Sequence, residues 1–245
     1  MINSNNLIRR IRTFFSKGDL PLDFDIYIVH NALLTERKAH LDRVLSGYSN
    51  AQYIQIEKDA PELMANLYCG LTPSNWISKC NNLWDPIPPP RELKRPEIAC
   101  TASHFYAYQQ FLQQSKKKWL LVLEDDAIFK SNLGSVVQSR LKALPNQVDA
   151  LFVGGGFPHE QVSQTIGKYK NFLIKNHPAT NTTVGYLLRR DLLEKIVATS
   201  VSFDLPIDYE LAYILKINNA TVFHLKRYAV SEGSKFSYLS SIRGE

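Results

Sequence analysis

The chain has 245 residues, 44% hydrophobic and 21% charged, with 29 basic and 23 acidic side chains and a net charge of +6. That length accommodates one large α/β domain or two small ones, with ample core either way. The positive excess suits anionic substrates or a membrane surface. It is too small for a nucleic-acid footprint, and no DNA- or RNA-binding motif accompanies it, so no nucleic acid is expected as a partner.

Residues 1–22 read as a basic amphipathic N-terminal segment. Leu7, Ile8, Ile11, Phe14 and Phe15 fall at helical spacing among Arg9, Arg10, Arg12 and Lys17. Such a helix either lies on an anionic membrane or docks on the domain or frays as a terminus. No apolar run approaches the ~20 residues of a membrane span, and no signal-peptide core follows Met1. Cys69, Cys80 and Cys100 are odd in number and match no zinc-site spacing. They point to a reduced, cytosolic chain, with a disulfide between two of them as the other reading.

From residue 23 the chain reads as a single domain to residue 245, with no internal repeat. Residues 25–30 predict a first strand, 36–45 a helix with Thr35 as N-cap, and 51–56 a second strand. This β-α-β opening is the usual start of a parallel sheet. Residues 61–96 lose that rhythm and end in the run Pro86-Ile-Pro-Pro-Pro90. They predict a long loop with one helix near 62–68. Trp76 and Trp84 there either stack on a ligand or pack against the domain.

Pro96 suits a first helical turn and Glu97 complements the helix dipole. The spacing predicts a helix over 97–114, with Ile98, Ala102, Phe105 and Leu112 on one face. Cys100, His104 and Tyr108 share an adjoining face at i, i+4 and i+8. The stretch Trp119-Leu-Leu-Val-Leu-Glu-Asp-Asp126 then runs five apolar residues into three acids. Such a run predicts a strand buried on both faces. In an open α/β sheet its carboxyl end faces the ligand crevice. Two readings stand for the acids: a hard divalent ion, Mn²⁺ or Mg²⁺, neutralises them, or they open a solvated loop.

Ser131 is placed to cap a helix reaching 143. Residues 149–153 predict another buried strand, ending in Gly154, Gly155 and Gly156, where a backbone can pass close to a ligand. Their spacing matches neither a P-loop nor a dinucleotide fingerprint. Residues 179–188 predict a strand with a polar entry, 191–199 a helix, 209–216 a helix led in by Pro206-Ile-Asp208, and 220–224 a last strand. The tail after Arg227 reads as irregular.

Together these stretches resemble glycosyltransferase family 25, which includes lipopolysaccharide and collagen galactosyltransferases. Glu97-Ile-Ala-Cys-Thr-Ala-Ser-His104 resembles its G-E-I-G-C-x-x-S-H block, and Leu121-Val-Leu-Glu-Asp-Asp126 its V-L-E-D-D block. Gly185 and Tyr186 stand in a G-T-x-x-Y-like block, Pro206-Ile-Asp208 resembles P-V-D, and Ser241-Ile242 a late S-x-I. Glu36-Arg37 resembles an R-x-E-R region more loosely. Pro96 and Ala99 replace family glycines, His30-Asn31 stand where I-N is usual, and Asp208-Tyr-Glu-Leu replaces Asp-Glu-Phe-Leu.

The resemblance implies a GT-A-like, Rossmann-like fold with a mostly parallel sheet flanked by helices. It implies an inverting, metal-dependent transfer of a sugar, galactose first, from a UDP-sugar to a hydroxyl of a surface glycan such as lipopolysaccharide. Asp126 and Glu124 are then expected on Mn²⁺ (or Mg²⁺), with His224 either completing that shell or serving as a structural histidine. Asp208, then Glu210, are the candidate general bases, or helix-start acids that only complement the dipole. His104, Asp125, Gly155, Asn181 and Thr182 are the expected donor- or substrate-binding residues. A glycan or glycolipid acceptor suits an enzyme on the cytoplasmic side, held peripherally by residues 7–17. Two other functions fit the acids: a metal-dependent phosphoesterase or nucleotidyltransferase, and a non-catalytic glycan-binding relative.

Overall fold

The computed structural model describes residues 22–55, 67–70, 72–81, 83, 87–129, 132–155, 165–175, 182–199 and 202–235. The N-terminal segment, most of the helix expected over 62–68, Trp84, Gly156, Asn181 and Ser241-Ile242 lie outside these residues. In chain order the first elements are β1 (Phe24–Val29), α1 (Thr35–Val44), β2 (Ala51–Ile54), α2 (Pro73–Cys80), α3 (Arg95–Gln114), β3 (Trp119–Glu124), β4 (Ala127–Phe129) and α4 (Leu133–Ala143). They are followed by β5 (Ala150–Phe152), β6 (Gly154–Gly155), β7 (Thr165–Tyr169), β8 (Phe172–Lys175), β9 (Gly185–Arg189), α5 (Arg190–Thr199), α6 (Ile207–Ile217), β10 (Val222–Leu225), β11 (Val230–Glu232) and a 3-10 turn, Gly233–Lys235.

The main sheet runs β2-β1-β3-β9-β5-β10-β8-β7. β1, β2, β3, β5, β7 and β10 point one way, while β8 and β9 run against them. The expected α/β architecture with a mostly parallel sheet is therefore what forms. The reversal of β9 has a consequence for the site. Its start, not its end, lies at the edge where β1, β3, β5 and β10 finish.

β3 explains why its five apolar residues had to be buried. Leu120 and Val122 join one core, with Phe105, Tyr108 and Phe111 of α3, Leu193 of α5 and Leu211 of α6. Trp119, Leu121 and Leu123 join the opposite core, with Leu41 of α1 and Val137 of α4. The period of two along the strand thus divides its side chains between two helical layers. Glu124 continues the first of these rows, so it emerges on the α3 side.

Three local readings change. Leu34, not Thr35, stands at the N-cap of α1, and Asn132, not Ser131, caps α4 by accepting the Ser135 N–H at 3.1 Å. α2 lies inside the stretch expected to be loop. Thr72 accepts the Asn75 N–H at 3.2 Å and Pro73 occupies the first turn, a start signal present in the sequence. Trp76 is buried against Tyr209 and donates its indole N–H to the Pro88 carbonyl at 2.6 Å. It pins the proline run and packs against the domain, one of the two readings open for it.

The tail expected to be irregular also supplies structure. β11 is the centre of a three-stranded sheet, antiparallel to β4 and parallel to β6. At β6 a methyl group on Gly154 would stand 2.8 Å from the Val184 side chain and 3.1 Å from the Gly185 backbone nitrogen. Gly154→Ala is therefore expected to lower stability by about 1–3 kcal/mol through overpacking. Urea unfolding measures it, and an unchanged midpoint would show that the strands part without cost.

Candidate active site

Five chain segments meet at one edge of the main sheet. β1 leads into His30, β3 ends at Glu124 and is followed by Asp125 and Asp126, β5 leads through Val153 to Gly154, and Thr182 and Thr183 precede reversed β9. The start of α6 supplies Asp208. The three acids after β3 are handled differently by their surroundings.

Asp125 is closed off by protein. Its Oδ1 accepts from Arg37 at 2.6 Å, and its Oδ2 accepts the Asn31 N–H at 3.0 Å and faces His30 Nδ1 at 3.1 Å. Burial opposes its charge, but these donors outweigh burial and hold the carboxyl below its ordinary range. Both of its oxygens are engaged by protein. Its oxygens lock the end of β1 and the start of α1 to the end of β3.

Asp126 is the opposite case. Oδ2 accepts the Ser234 N–H at 3.0 Å, and the Asp126 carbonyl accepts the Gly233 N–H at 2.8 Å. Oδ1 is buried with no hydrogen-bond partner among the described residues. Burial, then the charge of Glu124, push this carboxyl up to about 6. Thr183 donates its hydroxyl to Glu124 Oε1, and Nε2 of His104 stands 3.6 Å from the same oxygen.

His104 reaches that point because α3 is firmly anchored. Arg91 forks onto Glu97 at 2.5 and 2.7 Å, and Glu97 accepts the Lys94 N–H at 2.9 Å. About two helical turns later, His104 Nδ1 is 2.6 Å from the Tyr186 hydroxyl, which is 2.5 Å from that of Tyr108. His104 itself is fully buried. Its ring is oriented by hydrogen bonds from behind, as binding or catalytic imidazoles are.

Asp208 sits in the first turn of α6 with its side chain partly exposed and accepts the Tyr209 N–H at 3.1 Å. A helix start favours a carboxylate. Here burial and then the field of Glu124 dominate, and the carboxyl is pushed up to about 7. Glu124 thus raises both Asp126 and Asp208.

Three expected residues belong elsewhere. Glu210 is 1% exposed and faces Lys79 of α2 at 2.8 Å, with Asp204 2.5 Å from the same ammonium. It also accepts the N–H groups of Asp204 and Leu205 at 3.3 and 3.2 Å. Burial raises this carboxyl against the pull of Lys79, and a carboxylate so engaged holds α2 to α6. Lys79→Ala strands two buried acids, and a loss of about 3–5 kcal/mol is expected. Thermal unfolding at neutral pH checks it; a loss under 1 kcal/mol would show that water replaces the ammonium.

His224 stacks on Phe152 at 4.7 Å, with its Nδ1 3.3 Å from the Tyr228 hydroxyl. The register runs Val122, Tyr186, Phe152, His224 across four neighbouring strands. Three strand spacings separate it from β3, roughly 14 Å. That distance removes it from any shell built on Glu124 and Asp126. Gly155 does not open its backbone as expected, because the Tyr228 ring lies 2.4 Å from where its Cβ would stand. Thr182 is buried beside Thr183, and Asn181 lies outside the described residues.

Thr183 and Ser234 were not singled out from the sequence. Thr183 was hidden because nothing local tells that β9 runs backwards. Ser234 was hidden because a three-residue strand, β11, leaves no periodic signal. All three cysteines are free thiols. No helix among the described residues is long and apolar enough to cross a membrane.

Residues 26–211 match the family "Glycosyltransferase family 25 (LPS biosynthesis protein)". No curated protein matches the chain. Among solved structures, A197 from STIV is 14% identical with a TM-score of 0.37, covering 53% of this chain; this chain spans 64% of its length. Mouse xyloside xylosyltransferase 1, in its apo form, is 9% identical with a TM-score of 0.40, covering 94% of this chain and 91% of that one. The inositol-1-phosphate CTP transferase from T. maritima is 14% identical with a TM-score of 0.38, covering 86% and 89%. These likenesses are too remote to speak to chemistry. The family match does not share that remoteness: it takes in β1, the acids after β3 and the start of α6, and the chain belongs to glycosyltransferase family 25.

Proposed function

We propose that this domain transfers a sugar, galactose in the first instance, from a UDP-sugar to a hydroxyl of a lipopolysaccharide-type glycan, inverting the anomeric carbon. The observation that carries the reading is the Asp126 carboxylate: buried, raised, and with Oδ1 unpartnered beside Glu124 among the described residues. A buried oxygen of this kind fits a hard cation, and carboxylates suit Mn²⁺ or Mg²⁺. Asp126 and Glu124 would hold the ion. When bound, it supplies positive charge against the diphosphate leaving group.

The remaining work falls to the chain. Thr183 keeps Glu124 facing the cleft. Asp125, held by Arg37 and His30, keeps the loop after β3 from shifting. Asp208 takes the proton of the acceptor hydroxyl as the new glycosidic bond forms. Its raised affinity for a proton is what a base working near neutral pH requires.

Calorimetric titration of UDP, UDP-galactose, UDP-glucose and GDP, each with Mn²⁺ and with EDTA, tests the reading. Tight binding of one uridine nucleotide only with Mn²⁺ is expected. No binding of any would sink the donor assignment.

An acceptor in a membrane leaflet also accounts for the basic residues 7–17 on a cytoplasmic, peripheral enzyme. Anionic vesicles are expected to sediment the full chain, less so as salt rises. Equal sedimentation of a chain beginning at Asp23 would remove that role.

A further inference from the structure

We propose that Cys100, His104 and Glu124 form a second cation site, one that takes a thiophilic divalent ion of the Zn²⁺ class. The ligand atoms of the three side chains, a thiol sulfur, an imidazole nitrogen and a carboxylate oxygen, all lie within 4.8 Å of one another. Cys100 and His104 are four residues apart on α3, so one helix face presents both. Glu124 meets them from the end of β3, two elements that their two hydrophobic layers fix in place.

His104 is the second observation that points to a ligand. It is fully buried, its Nε2 makes no hydrogen bond among the described residues, and that nitrogen is aimed at Glu124 Oε1 across 3.6 Å. Two ligand atoms on a tetrahedral zinc ion stand about 3.4 Å apart, given metal–ligand distances near 2.0–2.1 Å. The imidazole and carboxylate are thus already spaced for one ion between them. The Cys100 sulfur lies within 4.8 Å of both atoms, at most about 1.2 Å beyond the spacing on a tetrahedral zinc ion. Cys100 as a residue is half-buried.

The outer partners are those of a metal-binding histidine. Nδ1–H donating to the Tyr186 oxygen leaves Nε2 with its lone pair forward, and Tyr108 holds Tyr186 in turn. Thr183 fixes Glu124 by its hydroxyl. A sulfur and an imidazole in the set favour Zn²⁺ over Mn²⁺ and Mg²⁺, which prefer oxygen. On binding, the thiol releases its proton to solvent and the sulfur–metal bond forms in its place. If the donor reading above holds, an ion here engages the carboxylate that the donor cation needs, and metal identity controls transfer.

Cobalt(II), added to the full-length protein without nucleotide, tests the site. Expected are a sulfur-to-cobalt charge-transfer band in the near ultraviolet and ligand-field bands of a tetrahedral ion. The charge-transfer band is lost in Cys100→Ser and kept in Cys69→Ser, whose thiol is exposed and remote. His104→Gln shifts the ligand-field bands while the sulfur band stays. A folded wild-type protein with no sulfur band, or a band that survives Cys100→Ser, would overturn the proposal. Neither readout involves nucleotide, so the cobalt site and the Mn²⁺-dependent donor site can fail separately.

Discussion

Asp126→Asn is expected to raise the stability of the metal-free protein and, at the same time, to abolish Mn²⁺-dependent nucleotide binding. The two effects have one origin. The Asp126 carboxyl is pushed up to about 6 from an ordinary 3.8 by burial and by Glu124. Between those values the folded chain holds a proton that the unfolded chain has released. The contribution of this one group to stability is therefore greatest below about pH 4, falls as pH rises through 6, and stays lowered above it. The rise from 3.8 to about 6 corresponds to about 3 kcal/mol at most. Asn carries no charge, keeps an oxygen for the Ser234 N–H, and so regains about 1–3 kcal/mol at neutral pH in EDTA. The same change removes a charged ligand whose Oδ1 is buried and without a hydrogen-bond partner among the described residues. Metal-dependent nucleotide affinity should fall by more than the roughly 10–100-fold that loss of an outer-shell partner costs. Unfolding in EDTA across pH 4–8 and calorimetry with Mn²⁺ separate the two. A destabilised variant, or one with wild-type nucleotide affinity, would count against the assignment of Asp126.

Much of this arrangement was legible in the sequence because it rests on short-range patterns. Five apolar residues running into acids define a buried strand and its functional end without any knowledge of neighbours. The helix over 97–114 announces itself through Pro96, Glu97 and a 3.6-residue stripe. Legibility ended where the deciding partner is distant. Glu210 and Asp208 look equivalent from the sequence, both acids in one helical turn. Lys79, 131 positions upstream, separates them by neutralising Glu210 and leaving Asp208 in the field of Glu124. Asp125 and Asp126 are neighbours with opposite fates because Arg37 and Ser234 arrive from different elements. His224 admits both a ligand and a structural reading from the sequence; the strand order, which local patterns do not encode, puts three strand spacings between it and β3.

Asp208→Asn is expected to lower kcat by about 10²–10⁴ and to leave Mn²⁺-dependent nucleotide affinity unchanged. The amide is isosteric, it retains an acceptor for the Tyr209 N–H, and it can no longer accept a proton from the acceptor hydroxyl. The pH profile carries a second signature. A base works deprotonated, and burial with the Glu124 charge pushes the Asp208 carboxyl up to about 7. The acid limb of kcat/KM should therefore rise with pH to a plateau above about 7. A cation beside Glu124 offsets part of that repulsion and moves the limb lower, so its midpoint is expected at or below about 7. In Asp208→Asn the limb should vanish from whatever rate remains. Glu210→Gln is the necessary companion, since it breaks the Lys79 contact without touching the cleft. It should unfold at lower denaturant yet keep the acid limb at temperatures where it is folded. A variant pair with the roles exchanged, rate lost in Glu210→Gln and kept in Asp208→Asn, would place the base on the other side of the helix and undo the electrostatic argument that separates the two acids.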